Sequence, residues 1–239
     1  MPSQRNILHE RFFTAVISGD RHGVREIMDE IFGHDDVPAE RIASNLIWPT
    51  LNQIQTARRS DQLTALAYNF ATRLLRTTAD QLQLRYRQQA RRDQTVLVTT
   101  GAEESEELSG QLATDLLEAA GYTVYYAGGG VANDEIVEQI AHLEVDKLVV
   151  FGSVPATVPE TRLLIDRLHE IGACPTLQII VGGGVFNRAE GLAEEIGADL
   201  WASDPIELVQ TIAENGQRRM TPDQRTVGRR RQQTKRSAA

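Results

Sequence analysis

The chain has 239 residues, a single cysteine (Cys174), 41% hydrophobic and 5% aromatic content, and a net charge of −8. This length suits one large domain or two modest ones, and one cysteine excludes an intramolecular disulfide framework. No apolar run reaches the roughly 18 residues of a membrane span and the polar start holds no signal-peptide core, so a cytoplasmic protein without membrane attachment is expected.

The first ninety or so residues read as helix throughout. Phe12, Val16 and Ile17 recur at helical spacing, and Val24, Ile27, Met28 and Ile31 repeat the pattern after the Ser18-Gly19-Asp20 break. Gly33 to Asp36 ends the second helix, and Val37-Pro38-Ala39-Glu40 opens a third with proline in a favoured starting position. That helix carries Ile42, Leu46 and Ile47 and runs past Trp48-Pro49 to Leu51 and Ile54. A long helix with Leu63, Leu66, Ala67, Phe70, Leu74 and Leu75 follows Arg58 to Asp61. The expectation is a bundle over residues 1–90, with the charged stretch Arg85 to Gln94 as a helix end and linker.

The texture then changes to short β-branched runs alternating with helical stretches. Strands are expected at Val96 to Thr99, Thr123 to Tyr126, Lys147 to Phe151, Gln178 to Val181 and Leu200 to Ala202. Helices are expected at Glu106 to Ala120, Asp134 to Leu143, Pro159 to Ile171, Arg188 to Ile196 and Ile206 to Glu214. Strands each followed by a helix demand parallel pairing and right-handed crossovers. Residues 95–216 therefore read as an α/β domain with a flavodoxin-like doubly wound five-stranded parallel sheet, preceded by the all-α helical bundle. From Gln217 onward eight basic residues face one acid, so residues 217–239 read as a basic disordered tail and the rest of the chain is more acidic than the total. An acidic body argues against a nucleic-acid face anywhere but the tail.

Ligands of such sheets lie outside the carboxyl ends of the strands, at the switch point of strand order. Those ends carry Thr100 to Ser109, Ala127 to Val131, Gly152 to Thr157 and Gly182 to Val185. Ser153 to Thr157 and Gly182 to Gly184 are expected side by side across the switch point, where glycine lets backbone approach a ligand. The acids Glu103, Glu104, Glu106 and Glu107 open a helix, where the dipole favours each by roughly 0.3–1 kcal/mol, so helix initiation is sufficient to account for them. A phosphorylation receiver would need an aspartate at the end of the third strand, which instead reads Phe151-Gly152-Ser153. A dinucleotide fold would need Gly-x-Gly-x-x-Gly after the first strand, and acids stand there.

Leu116-Leu117-Glu118-Ala119-Ala120-Gly121-Tyr122-Thr123-Val124, then Gly182-Gly183, then Ile196-Gly197-Ala198-Asp199, in that order and spacing, resemble the cobalamin-binding domain family. This family includes the corrinoid module of methionine synthase, corrinoid methyl-carrier proteins and light-sensing cobalamin regulators. The resemblance spans Phe12 to Glu214, and the helical bundle resembles the cap domain that covers the corrin. It implies cobalamin as cofactor. It also implies a slot for the nucleotide tail that resembles Ser153, Val154, Thr157, Gly182, Gly183 and Gly184.

In the family the loop after the first strand carries Asp-x-His-x-x-Gly, whose histidine coordinates cobalt. Counted back from Leu116, this loop holds Glu104, Ser105, Glu106 and Ser109, with Glu106 in the histidine position. A carboxylate is a poorer partner than a neutral nitrogen for this metal. The cap departs too: Ala57 stands near the place of a tryptophan, and Tyr68-Asn69 at that of a Glu-His pair.

The sequence thus points first to a non-enzymatic regulator or sensor on a cobalamin-binding scaffold. Such a protein binds cobalamin without histidine ligation or no longer binds it, and acts through contacts with a regulatory protein partner. The alternatives are a corrinoid carrier subunit for a methyltransferase or mutase, and a transcriptional regulator. No catalytic residues and no protein ligand to a metal are assigned, and homo-oligomer formation is left open.

Overall fold

A computed structural model describes residues 4–33, 37–172 and 174–220; the expected basic tail lies, from residue 221 onward, outside the described residues. The chain separates into two compact units between Gln88 and Gln89.

The first unit contains α1 (Gln4–Ser18), α2 (Arg21–Phe32), α3 (Ala39–Ile42), a π-helical turn (Ala43–Ile47), α4 (Trp48–Arg59) and α5 (Ala65–Gln83). Asp20 caps α2 by accepting from the Gly23 amide, and Thr64 caps α5 by accepting from the Ala67 amide. The stretch from α3 through α4 is continuous, with helical backbone at each junction. Its π turn lies immediately before Pro49, which lacks an N–H and would press its ring on the preceding turn. The wider turn, in which the Trp48 amide reaches the Ala43 carbonyl, lets the helix pass the proline.

The core holds Phe12, Val16, Ile27, Ile47, Leu51, Ile54, Leu75 and Leu82. The buried stripe of α5 differs in phase from the expectation. Leu66 and Phe70 are exposed, and Tyr68, Ala71, Thr72, Leu75, Thr78, Ala79 and Leu82 face inward. The threonines can be buried because Thr72 and Thr78 donate to the Tyr68 and Leu74 carbonyls of their own helix.

The second unit alternates β1 (Thr95–Thr100), α6 (Glu104–Ala119), β2 (Thr123–Gly129), α7 (Asn133–His142), β3 (Lys147–Phe151), α8 (Thr157–Ile171), β4 (Gln178–Gly182), α9 (Gly184–Arg188), α10 (Leu192–Ile196), β5 (Leu200–Ala202) and α11 (Pro205–Glu214). All pairings are parallel, and the sheet order is β2-β1-β3-β4-β5. The expected fourth helix is two short ones, because Ala189 is extended and Gly191 has φ +80°.

Strand alternation assigns the faces. Leu97, Leu148, Val150, Ile179 and Val181 pack with Ile136, Ile140, Leu164, Ile165, Leu168, Phe186 and Ile196 of α7 to α10. The intervening Val96, Val98, Val149, Phe151 and Ile180, also buried, face α6 and α11.

At the opposite end of the strands the unit buries polar groups in pairs. Arg92, in the expected linker, stacks 4.9 Å over the Tyr122 ring and donates to its hydroxyl and to the Ala120 carbonyl. Burial raises the Tyr122 phenol above its usual 10.0, with the Arg92 guanidinium opposing. Lys147, 1% exposed, donates to Gln178 Oε1 at 3.0 Å, and Gln178 Nε2 donates to the Asn215 and Arg218 carbonyls after α11.

Burial pushes Lys147 below its usual 10.5, Arg219 adds to this, and Asp146 opposes. Between the lowered folded value and 10.5 the unfolded chain holds a proton that the folded chain has released, so this group stabilises the fold increasingly as pH rises. The stability of the natural chain relative to Lys147→Met is therefore expected to climb as pH rises towards 10.5. Urea midpoints of both chains measure it, and a difference that does not change with pH would contradict the assignment.

Candidate functional site

The chain leaves β1 for β2 on one side and for β3 on the other, so strand order reverses between β1 and β3. Sequence reasoning put the switch between the third and fourth strands. Those two are neighbours on the same side of it, with Phe151 paired to Gly182. The loops that flank the switch are residues 101–103 after β1 and 152–156 after β3. Both meet at one side chain, Glu106.

Glu106 lies in the first turn of α6, where the acids were expected to favour helix initiation. It is 1% exposed and turns toward the β3–α8 loop. Its Oε1 accepts from the Ser153 amide at 2.6 Å and the Val154 amide at 3.0 Å. The Thr157 hydroxyl is 2.9 Å from the same oxygen and 2.8 Å from the Val154 carbonyl, so its one proton is shared between them. These donors precede or begin α8, the end of a helix where negative charge is favoured. Hydrogen bonds to a charged acceptor contribute roughly 1.5–3 kcal/mol each, and this set offsets the cost of burying the carboxylate. Gly101 leaves the room: a Cβ there would collide with Glu106 Oε2 and lie 2.8 Å from Thr157 Cγ2.

The other sequence-predicted residues divide by position. Glu104 opens α6, beside Ser105, which is buried. Ser109 is fully buried and donates to the Ser105 carbonyl at 2.8 Å. Ser153, Val154 and Thr157 come together around Glu106. Gly182 and Gly183 adjoin them, but both are already in contact with the chain's own atoms. A Cβ on Gly182 would lie 2.6 Å from Phe151 Cε2, and one on Gly183, whose φ is +98°, would strike the Gly152 carbonyl oxygen. Gly184 begins the short helix α9.

Three participants escaped sequence reasoning. Phe151, fully buried, covers Gly182. Arg188 donates to the Ser153 carbonyl at 2.7 Å, and Gly101 accommodates the carboxylate. The spacing of Phe151 to Gly152-Ser153 was visible, but its direction was not.

A cavity of about 680 Å³ opens at the switch point on the α7/α8 side. Thr99 to Glu103, Gly130 to Asp134, Ile136, Val154, Thr157, Glu160 and Leu164 contribute to its wall. Glu106 forms part of its floor, and Glu103, Asp134 and Glu160 make it acidic. Among the described residues no group of three or more His, Cys, Asp or Glu side chains is placed to hold a metal ion, and no helix is long and apolar enough to cross a membrane.

Glu106→Ala removes the acceptor from two backbone amides and is expected to destabilise the fold by about 2–4 kcal/mol. Gly101→Ala overpacks the same spot and is expected to cost about 1–3 kcal/mol. The double variant should cost less than the two combined, because the shortened side chain vacates the space that the new methyl needs. Denaturant unfolding of the four chains measures the coupling, and strict additivity would refute the contact.

The family model described as B12 binding domain matches residues 94–210. Dimethylamine corrinoid protein 3 of Methanosarcina acetivorans is 24% identical over 215 residues, covering 90% of this chain and 99% of that protein. Monomethylamine corrinoid protein 2 of Methanosarcina barkeri is 29% identical over 106 residues, 44% of this chain and 48% of that protein. The solved structure of the Methanosarcina barkeri monomethylamine corrinoid protein superposes with a TM-score of 0.74 at 20% identity, over 88% of this chain and 99% of that one, which establishes the fold. By its match to that family model, the segment of residues 94–210 belongs to the B12-binding, that is cobalamin-binding, domain family.

Proposed function

We propose that the chain is a non-catalytic corrinoid-holding subunit, which presents a corrinoid to a separate methyltransferase-type enzyme. The observation that supports this most is the extent of the likeness to a dimethylamine corrinoid protein. It runs over 99% of that protein's length, so the helical unit and the sheet domain are accounted for together. The carrier role, which the sequence alone ranked second, therefore comes ahead of the regulator or sensor.

The residues do not fit a cobalt held from below by histidine. Glu106 stands in the histidine position, and its carboxylate is spent on Ser153, Val154 and Thr157. No step through the metal follows from this geometry. What the domain offers is a surface: the carboxyl ends of four neighbouring strands, and the acidic cavity beside the switch point. The same inward Glu106 favours one second reading, a scaffold that no longer takes cobalamin and works by protein contacts alone.

The two readings separate in one experiment. Purified chain is incubated in the dark with hydroxocobalamin, methylcobalamin or adenosylcobalamin, desalted, and its visible spectrum recorded. Stoichiometric retention of at least one form is expected. Loss of every chromophore on desalting would remove the carrier reading and leave the interaction protein.

A further inference from the structure

The residues that resemble a nucleotide-tail slot, Ser153, Val154, Thr157, Gly182 and Gly183, all carry contacts within the domain itself. An anionic phosphodiester would seek the Ser153 and Val154 amides and the Thr157 hydroxyl, which here serve Glu106. Those donors cannot serve two anions, and a buried carboxylate beside a phosphodiester repels it. A flat base would need the hollow above Gly182, and the Phe151 ring, 0% exposed, lies against that glycine. The backbone approach allowed by Gly183 is taken by the Gly152 carbonyl. Arg188 donates to the Ser153 carbonyl at 2.7 Å.

These are two separate contacts: Phe151 lies against Gly182, and Glu106 holds the loop after β3. Rotating Glu106 out would leave two amides without an acceptor, and Phe151 would still cover Gly182.

We infer that a corrinoid held by this chain keeps its nucleotide tail outside the sheet domain, so that the ligand is selected by its corrin ring and not by its lower nucleotide. The inference rests on the corrinoid-holding reading above and specifies the ligand class. Cobalamin then stays base-on: no imidazole at position 106 replaces its own benzimidazole on cobalt, and no slot receives the displaced base. Corrinoids with other lower bases, or with none, belong to the same class. Glu106 and Phe151 are the residues that impose this breadth.

The test uses the full chain and two probes, aquocobalamin and diaquocobinamide, the second lacking the nucleotide altogether. Dissociation constants come from equilibrium dialysis, and the visible spectrum of bound cobalamin reports whether its base remains on cobalt. The expected result is dissociation constants within about threefold of each other, and a base-on spectrum. Cobinamide binding weaker by about tenfold or more, or a base-off spectrum of bound cobalamin, overturns this inference while leaving the holding role standing. Retention of neither probe overturns both.

Discussion

The bond set around Glu106 Oε1 is the constraint from which the rest of the site follows. A carboxylate at 1% exposure survives only where donors replace its lost water, and here they come from the loop that opens α8. The bonds join the β1–α6 segment to the β3–α8 loop across the switch point, the place where an open parallel sheet otherwise leaves a crevice. Glycine at 101 follows from this, since any side chain there would occupy the carboxylate's space. So does the orientation of Ser153, whose amide faces Glu106 while its carbonyl faces Arg188.

Packing on the α6/α11 face works in the same direction. Strand alternation places Phe151 on that face and Val150 on the other, in the core with α7 and α8. Phe151 and Gly182 are register partners, so a large ring and a missing side chain fit together between adjacent strands. Free volume instead appears at the α7/α8 side of the switch, in an acidic cavity. The accessible room beside the switch point therefore lies on the α7/α8 side of the sheet.

Some of this was legible from residues in order. The β-branched runs and intervening helices defined a parallel sheet, because a helix after every strand leaves no room for hairpins. The absence of histidine from the loop after β1 was equally plain, and so was the segment from Leu116 to Val124 that carries the resemblance. Local signals sufficed wherever the property was itself local: period, cap, proline or residue identity.

Direction and adjacency were a different matter. Whether Glu106 faces solvent at a helix start or a neighbouring loop depends on the chain returning Ser153, 47 positions further on, to within 2.6 Å. The switch point fell between β1 and β3 because strand order is settled by pairing, which no single strand encodes. The stripe of α5 turned Leu66 and Phe70 outward because buried threonines could satisfy themselves on their own helix, an option that counting apolar residues overlooks. The amino-acid order alone determined which chemical groups this protein has and which elements carry them. Only the tertiary structure decided which groups meet, because hydrogen bonds and packing act between residues that the chain keeps far apart.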